Sequence, residues 1–410
     1  MTASVTQKIP SGYKQTEIGL YPIDWEVKNL GELLKQNPKY GINAPAVKYS
    51  DNLPTYIRIT DISDDGRFLS ANKTSVDHFL ADKYYLENDD LVFARTGASV
   101  GKTFLYNTAD GELVYAGFLI RVQPDPDKLN SKYLSNFTRT KGYWNWVQVM
   151  SMRSGQPGIN GNEYKQLLIP LPPTLFEQCT IATVLTDADN LIEKLEKLIE
   201  KKKNIKQGTM QELLTGKRRL PGFNGEWLIR TIEETTECLD NLRVPLNENQ
   251  RSKMQGDIPY CGANGILDYV NNYVIDDDII LIAEDGGYFD EYSYRPIAYR
   301  MIGKCWVNNH AHILKAKNSY DQGFIYYSLV HKNILQFLAN GTRAKLNKSE
   351  MYKIEIDIAP TKPEQTAIAT VLSDMDLEIE KLESQLTKYK NLKQGMMQKL
   401  LTGKIRLIKK

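Results

Sequence analysis

One segment of this chain is written twice. Glu177 to Leu220 and Glu364 to Leu407 align without a gap at an offset of 187 residues, with 29 identities in 44 positions. The sequence between the two copies diverges. Such a chain has a fixed frame carrying two heads that are free to differ. Apolar residues in the first copy recur at Leu185, Ala188, Ile192, Leu195, Ile199 and Ile205. In the second they recur at Leu372, Met375, Ile379, Leu382, Leu386, Tyr389, Leu392 and Met396. Spacings of three and four predict a helical seam of the coiled-coil kind.

The start and stop signals are also duplicated. Thr174 with Glu177, and Thr361 with Glu364, predict a capping box at each helix start. Pro170, Pro172, Pro173, Pro360 and Pro363 lie before or in the first turn, where helices tolerate them. Leu-Thr-Gly at Gly216 and Gly403 predicts a left-handed cap at each end. Some forty helical residues would span roughly 60 Å, too long for a helix packed within one small domain. Mutual pairing of the two helices is therefore expected, rather than each packing on its own domain. Antiparallel pairing would relate the halves by a pseudo-two-fold axis; parallel pairing stays open.

The heads read as mixed α/β. Strand-like runs at Thr55–Ile62, Leu91–Arg95, Leu113–Val122, Asp278–Ala283 and Ile354–Ile358 are separated by Gly, Asn and Asp turns. Helical stretches are expected near Ser131–Val149 and Gln322–Ala339. Each head opens on a Trp anchor, Pro22-Ile-Asp-Trp25 and Asn224-Gly-Glu-Trp227. The register matches again at Asn160 and Asn347, followed by Glu163 and Glu350. The expected fold class is α+β: a domain over 1–173, a spacer helix over 174–216, a second domain over 217–360, and a second helix with tail over 361–410. The two helices are expected to form an antiparallel coiled coil in a pseudo-two-fold internal repeat.

Composition narrows the function classes. A net charge of +2 means that any polyanion must be met by locally concentrated charge. Cys179, Cys238, Cys261 and Cys305 form no CxxC pair, so neither a zinc site nor a disulfide framework is expected. No apolar run has the length of a membrane span or signal peptide, so a cytoplasmic location is expected and no membrane contact.

The duplicated Pro-Pro-Thr…Glu-Gln…Ile-Ala-Thr-Val-Leu helix ending in Leu-Leu-Thr-Gly-Lys, and the opening motif Ile18-Gly…Pro-Ile-Asp-Trp25, resemble the specificity subunit of type I restriction-modification systems. Asp90-Leu-Val-Phe-Ala-Arg-Thr-Gly97, Tyr260-Cys-Gly-Ala-Asn-Gly265 and Trp306-Val-Asn-Asn-His-Ala-His312 extend the resemblance over nearly the whole chain. It implies two target recognition domains, each reading half of a bipartite sequence in double-stranded DNA. It also implies helices that set the spacing and dock two modification (methyltransferase) subunits. S-adenosylmethionine, ATP and Mg would reside in the modification and restriction subunits, with no cofactor and no catalytic residue on this chain. The alternatives are a stand-alone DNA methyltransferase or nuclease with a coiled-coil insert, or a coiled-coil scaffold.

Four motifs invite other readings. Gly97-Ala-Ser-Val-Gly-Lys-Thr103 has three residues between its glycines where a phosphate-binding loop has four. The one Pro-Pro pair, in Leu171-Pro-Pro-Thr174, sits at a helix start rather than in an amino-methyltransferase motif. Asp127, Glu163 and Lys165 only loosely mimic a nuclease, and read as surface charge. His310 and His312 alternate as on one strand face, but no third ligand is evident, so no metal is expected. The basic runs Lys201–Lys203 and Lys217–Arg219 are either a solvated helix face or a contact for phosphates or an acidic partner.

Base reading needs Arg or Lys for guanine and Asn or Gln for adenine, projected from rigid support. In the first domain the candidates are Lys39, Tyr40, Arg58, Arg95, Lys102, Arg153, Gln156 and Asn160. In the second they are Lys253, Asn264, Tyr288, Arg295, Asn309, His310, Arg343, Lys345 and Asn347. Ser151–Asn160 and Asn340–Asn347 are equivalent in the repeat register and form the favoured pair of loops.

Overall fold

The structure is a computed structural model that describes residues 9–153, 155–339 and 344–407. The chain forms two compact units, residues 1–195 with 385–410 and residues 196–384. Each unit therefore holds one head, part of the first long helix (Leu175–Leu213) and part of the second (Lys362–Leu400).

In the first unit, Glu26–Asn29 pairs antiparallel with Leu168–Leu171, so the head's first and last segments close on each other. Between them lie two four-stranded sheets. One runs Leu113–Tyr115, Thr55–Ile57, Thr74–Val76, Ala46–Lys48; the other runs Lys39–Tyr40, Leu119–Val122, Leu91–Ala94, Thr103–Leu105. Leu91–Ala94 is buried at every residue, as expected of a strand covered on both faces. Leu113–Val122 is two strands belonging to different sheets. The break falls at Ala116–Phe118, where the Leu119 N–H donates to the Ala116 carbonyl at 2.8 Å. Thr55–Ile62 is a strand only to Ile57 and then a 3-10 turn held by Asp61. Ser131–Val149 is two helices, Ser131–Phe137 and Lys141–Met150. The Thr140 hydroxyl caps the second by accepting from the Tyr143 N–H, and Thr138 pairs with Thr103 at 2.8 Å.

The second unit repeats the closure. Leu228–Thr231 pairs with Glu355–Ile358, and the Ile232 N–H donates to the Ile354 carbonyl at 2.9 Å as Leu30 does to Leu167 at 2.8 Å. The sheet within is a single six-stranded one: Thr236–Cys238, Ala311–Ala316, Ile275–Ala283, Ala298–Val307, Gln255–Gly262, Gly265–Val270. Its central strand is buried from Ile279 through Ala283. The expected helix at Gln322–Ala339 ends at Val330 and gives way to a 3-10 turn and a short strand.

Within both units the long-helix segments pack in opposite directions. In the first unit Glu177 meets Arg406 and Asp189 meets Lys393, so one chain ascends as the other descends. In the second unit Lys206 meets Asp376 and Arg219 meets Glu364. These are the same two pairs, each shifted by the 187-residue repeat. Leu185, Ile192, Leu195, Ile199, Leu372 and Ile379 are buried; Leu382 and Leu386 are half-buried. Ile205 and Leu392 face solvent instead of the seam.

The expected capping boxes are half formed. Thr174 and Thr361 accept from the Glu177 and Glu364 N–H groups at 3.2 and 3.4 Å. The two glutamate carboxylates do not reach back. They are buried beneath Arg406 and Arg219, because a buried carboxylate gains more from a guanidinium fork than from one amide. The neighbouring Gln178 and Gln365 are buried too, and fix the head to the helix. Gln178 accepts from the Asn130 N–H and donates to the Lys128 carbonyl. Gln365 accepts from the Asp321 N–H and donates to the Ala359 carbonyl. Gly216 and Gly403 take the left-handed cap, φ 69° and 67°. A Cβ on Gly403 would come within 2.4 Å of Pro22, and one on Gly216 within 3.0 Å of Trp227. The Trp-containing anchors therefore close onto the helix ends.

Candidate nucleic-acid interface

Each head brings the end of a buried strand beside the two residues that precede Asn160 or Asn347. In the first unit, Leu91–Ala94 runs into Arg95, whose carbonyl accepts from the Ile159 N–H at 2.9 Å and whose N–H donates to Phe118 at 3.0 Å. Thr96 bridges to Gly158. In the second unit, Ile275–Ala283 runs into Glu284, whose carbonyl accepts from the Leu346 N–H at 2.7 Å. Asp285 bridges to Lys345. Gly158 and Ile159 match Lys345 and Leu346 at the repeat offset of 187. The two strand ends are thus structural equivalents bearing different side chains.

The first strand end gathers Lys39, Tyr40, Arg95, Gln156 and Asn160. The Arg95 guanidinium lies over the Tyr40 ring, 4.9 Å from its centroid. The Tyr40 hydroxyl accepts from the Gly161 N–H at 3.0 Å. The Gln156 amide sits against Gly97, where a Cβ would approach it to 2.9 Å; Gly97 has φ 71°. Lys39 and Gln156 are exposed. Asn160 caps the Gly161–Lys165 helix in a reciprocal box with Glu163. Arg153 donates to the Met150 and Met152 carbonyls and pairs with Glu163. Arg58 forks onto Asp61 with two bonds of 2.8 Å. Lys102 pairs with Asp64 at 2.6 Å. Arg58, Lys102 and Arg153 are therefore each committed to a neighbour within the head.

The second strand end is a charge network. Glu284 is paired with Arg243 and, at 2.9 Å, with Lys345. Those contacts hold its carboxyl below the ordinary range although burial opposes them. Asp285 holds His310 at 2.7 Å, and Asn264 donates to the Gly286 carbonyl at 2.8 Å. Arg295 lies 3.9 Å from the Tyr288 ring centroid and pairs with Glu291. Asn347 is the N-cap residue of Lys348–Met351 without a side-chain bond to it. Lys253 and Asn309 are exposed. Arg343 lies outside the described residues.

His312, beneath this network, is buried. Its Nδ1 lies 2.7 Å from Asp240 and its Nε2 lies 2.8 Å from the Leu346 carbonyl. Burial alone would lower its pKa, but Asp240, Cys238 and the Leu346 carbonyl favour the imidazolium and raise it to about 9. Cys238, Asp240 and His312 could supply three ligand atoms within 4.8 Å of one another, a cluster that leaves out His310, which is held by Asp285 instead. The arrangement does not suit a metal, because both ring nitrogens face oxygen acceptors and Arg243 stands 3.3 Å from Asp240.

The tempting motifs resolve into structure. Gly97–Ser99 is a 3-10 turn leading into the strand Thr103–Leu105, with no helix to cradle a phosphate. Lys202 and Lys203 pair with Glu378 and Glu383, so part of the basic run faces the second helix. Sequence reasoning missed the partners of Glu177, Gln178 and their repeats. The exact repetition of the Glu-Gln dipeptide at 177–178 and 364–365 was the available signal.

Two equivalent heads, each presenting polar groups at a loop-lined strand end beside paired helices, define the architecture of a DNA specificity subunit. The family model described as the type I restriction modification DNA specificity domain matches residues 22–207 and again 224–388. The chain is similar to a protein assigned as the type I restriction enzyme MjaX specificity subunit of Methanocaldococcus jannaschii, 28% identical over 96% of this chain and 97% of that relative. Over 154 residues it is 37% identical to a protein assigned as the type I restriction enzyme specificity subunit S.HindORF215P of Haemophilus influenzae, a match covering 37% of this chain and 38% of that relative. Its fold is similar to the type I restriction-modification S subunit from M. genitalium, with a TM-score of 0.66 at 16% identity, covering 96% of this chain and 98% of that one. The chain belongs to the type I restriction-modification DNA specificity family. Its role is that of a DNA sequence-specificity subunit. No helix among the described residues is long and apolar enough to cross a membrane.

Proposed function

We propose that the domains spanning 1–173 and 217–360 each read one half of a split DNA target. The helices, within 174–216 and 361–410, hold the two readers at a set separation and dock two methyltransferase subunits. Half-sites one turn of B-DNA apart need readers spaced by about 34 Å, and a helix pair keeps such a distance better than a flexible linker. Two nearly identical helical surfaces suit two copies of one partner. The chain itself carries no catalytic group. S-adenosylmethionine belongs to the methyltransferase subunits and ATP with Mg to the restriction subunits, and the assembly works in the cytoplasm.

One observation carries this reading. The two strand ends share their backbone hydrogen bonds, at 2.9 and 2.7 Å, while one presents an arginine and the other a glutamate. That is what two readers of different sequences on one frame require. Methylome sequencing of cells producing the chain with its methyltransferase subunits tests it. A bipartite methylated-adenine motif is expected. Inserting one helical turn into one long helix should change the gap and leave both half-sites intact. Methylation by the purified chain alone, or no motif despite active partners, would overturn the proposal.

A further inference from the structure

We propose that Arg95 reads a guanine in the half-site bound by the first domain, using the Tyr40 ring as a fixed platform. This rests on the reading above and adds a base and a residue to it. The observation behind it is a contrast among arginines. Arg58, Arg67, Arg121, Arg139, Arg153, Arg218, Arg219, Arg230, Arg243, Arg251, Arg295, Arg300 and Arg406 each have a carboxylate within ion-pair distance. Arg95 alone among the described arginines has none.

An arginine held by a carboxylate has its charge and part of its donor fork engaged. Arg95 keeps all five guanidinium N–H groups available, two of which match the O6 and N7 acceptors of guanine in one plane. Such a contact needs a guanidinium whose position is set in advance, since ordering a long side chain on binding costs affinity. Three features set it. The backbone of Arg95 is bonded on both sides, to Phe118 at 3.0 Å and to Ile159 at 2.9 Å. The guanidinium stacks on Tyr40, which stays 42% exposed. Tyr40 is itself fixed, its strand paired to Ile120 and its hydroxyl bonded by Gly161. Gln156 flanks the same patch, so the surroundings are polar and open. At the equivalent place in the second domain Glu284 is bound by Arg243 and Lys345, so guanine reading there through this position is not available.

The test uses the full chain assembled with its methyltransferase subunits. The methylome first defines the wild-type motif, and binding is then measured on duplexes substituted one base at a time. With Arg95→Ala, the methylome should become degenerate at one guanine of one half-site while the other half-site stays unchanged. Affinity for the cognate duplex should fall roughly ten- to hundred-fold. Replacing that guanine by 7-deazaguanine should weaken the wild type and leave Arg95→Ala unaffected, because the lost acceptor is the one that Arg95 uses. An evenly weaker affinity for all sequences, with a shallower salt dependence, would make Arg95 a phosphate contact and overturn the proposal. So would a half-site pair lacking any guanine whose recognition depends on Arg95. If the wild-type assembly bound all duplexes alike, the reading of two DNA-reading domains would itself fall. The intact second half-site shows that the variant is folded, and Arg95→Gln, which fits adenine better than guanine, gives a second variant expected to lose the same guanine.

Discussion

Arg95 and Glu284 occupy the same place on two copies of one scaffold, yet their surroundings have opposite character. The Glu284 environment is self-satisfied: Glu284 and Asp240 are shared among Arg243, Lys345 and His312. The Arg95 guanidinium lies on an aromatic face and, among the described residues, has no carboxylate within ion-pair distance. A side chain whose bonds are already made supports the structure; one whose donors are idle is available to a ligand. The backbone bond at the strand end is common to both, 2.9 and 2.7 Å, whereas the side chains there and the sheets behind them differ.

The largest effects should come from the frame and be the same in both units. Glu177 and Glu364 are 1% and 0% exposed and each is held by one arginine. Removing that arginine strands a buried carboxylate. Arg406→Met and Arg219→Met should each lower stability by about 3 kcal/mol, read as shifts in denaturant or thermal midpoints of the full chain. A loss below about 1 kcal/mol in one unit only would show that the pairs are not equivalent.

Comparable in size is an effect confined to the second unit. His312 has a folded pKa of about 9, above its ordinary 6.5. The folded state thus binds the proton more tightly, and its stabilisation is complete below about pH 6.5 and lost as pH rises through 9. The loss should be on the order of 3 kcal/mol. Unfolding midpoints measured from pH 6 to 10 should fall, and His312→Gln should flatten that slope. An unchanged slope in the variant would mean that another group titrates there.

Smaller still is the cost of erasing each strand-end residue. Glu284→Ala leaves Arg243 and Lys345 without their shared carboxylate, and should destabilise by about 2 kcal/mol. Arg95→Ala removes one partly exposed cation–π contact and should cost about 0.5 kcal/mol. Reversal of that order in unfolding experiments would remove the distinction between a structural and an available side chain.

Much of the frame was readable from the residues because helix signals are local. The three-and-four spacing, Gly216, Gly403 and the two threonine starts each act within a few positions. The partners of Glu177 and Asp189 lie 229 and 204 residues away, and no local pattern names them. The break within Ser131–Val149 was hidden because Thr138 bonds to Thr103, on a strand 35 residues earlier. At the site, residue type nominated Arg58, Lys102, Arg153 and Arg95 equally. Only the folded positions of Asp61, Asp64 and Glu163, from three to 38 residues away, separate the first three from the fourth. The sheets differ between the heads for the same reason: strand pairing depends on distant partners, which two diverged sequences do not share.

The finest comparison is between Asn160 and Asn347, which match at the repeat offset of 187. Asn160 Oδ1 accepts from the Glu163 N–H at 3.0 Å, and Glu163 Oε2 accepts from the Asn160 N–H at 2.8 Å. Asn347 makes no such bond to its helix. Asn160→Ala should therefore destabilise by about 1 kcal/mol, whereas Asn347→Ala should change stability by no more than about 0.3 kcal/mol. Paired with DNA-binding measurements, the two variants separate the roles. Asn347, with its amide free, should lose affinity for duplex without losing stability, and Asn160 should lose stability first. Equal stability losses would mean that Asn347 caps its helix after all, and would leave that helix start with the same job in both heads.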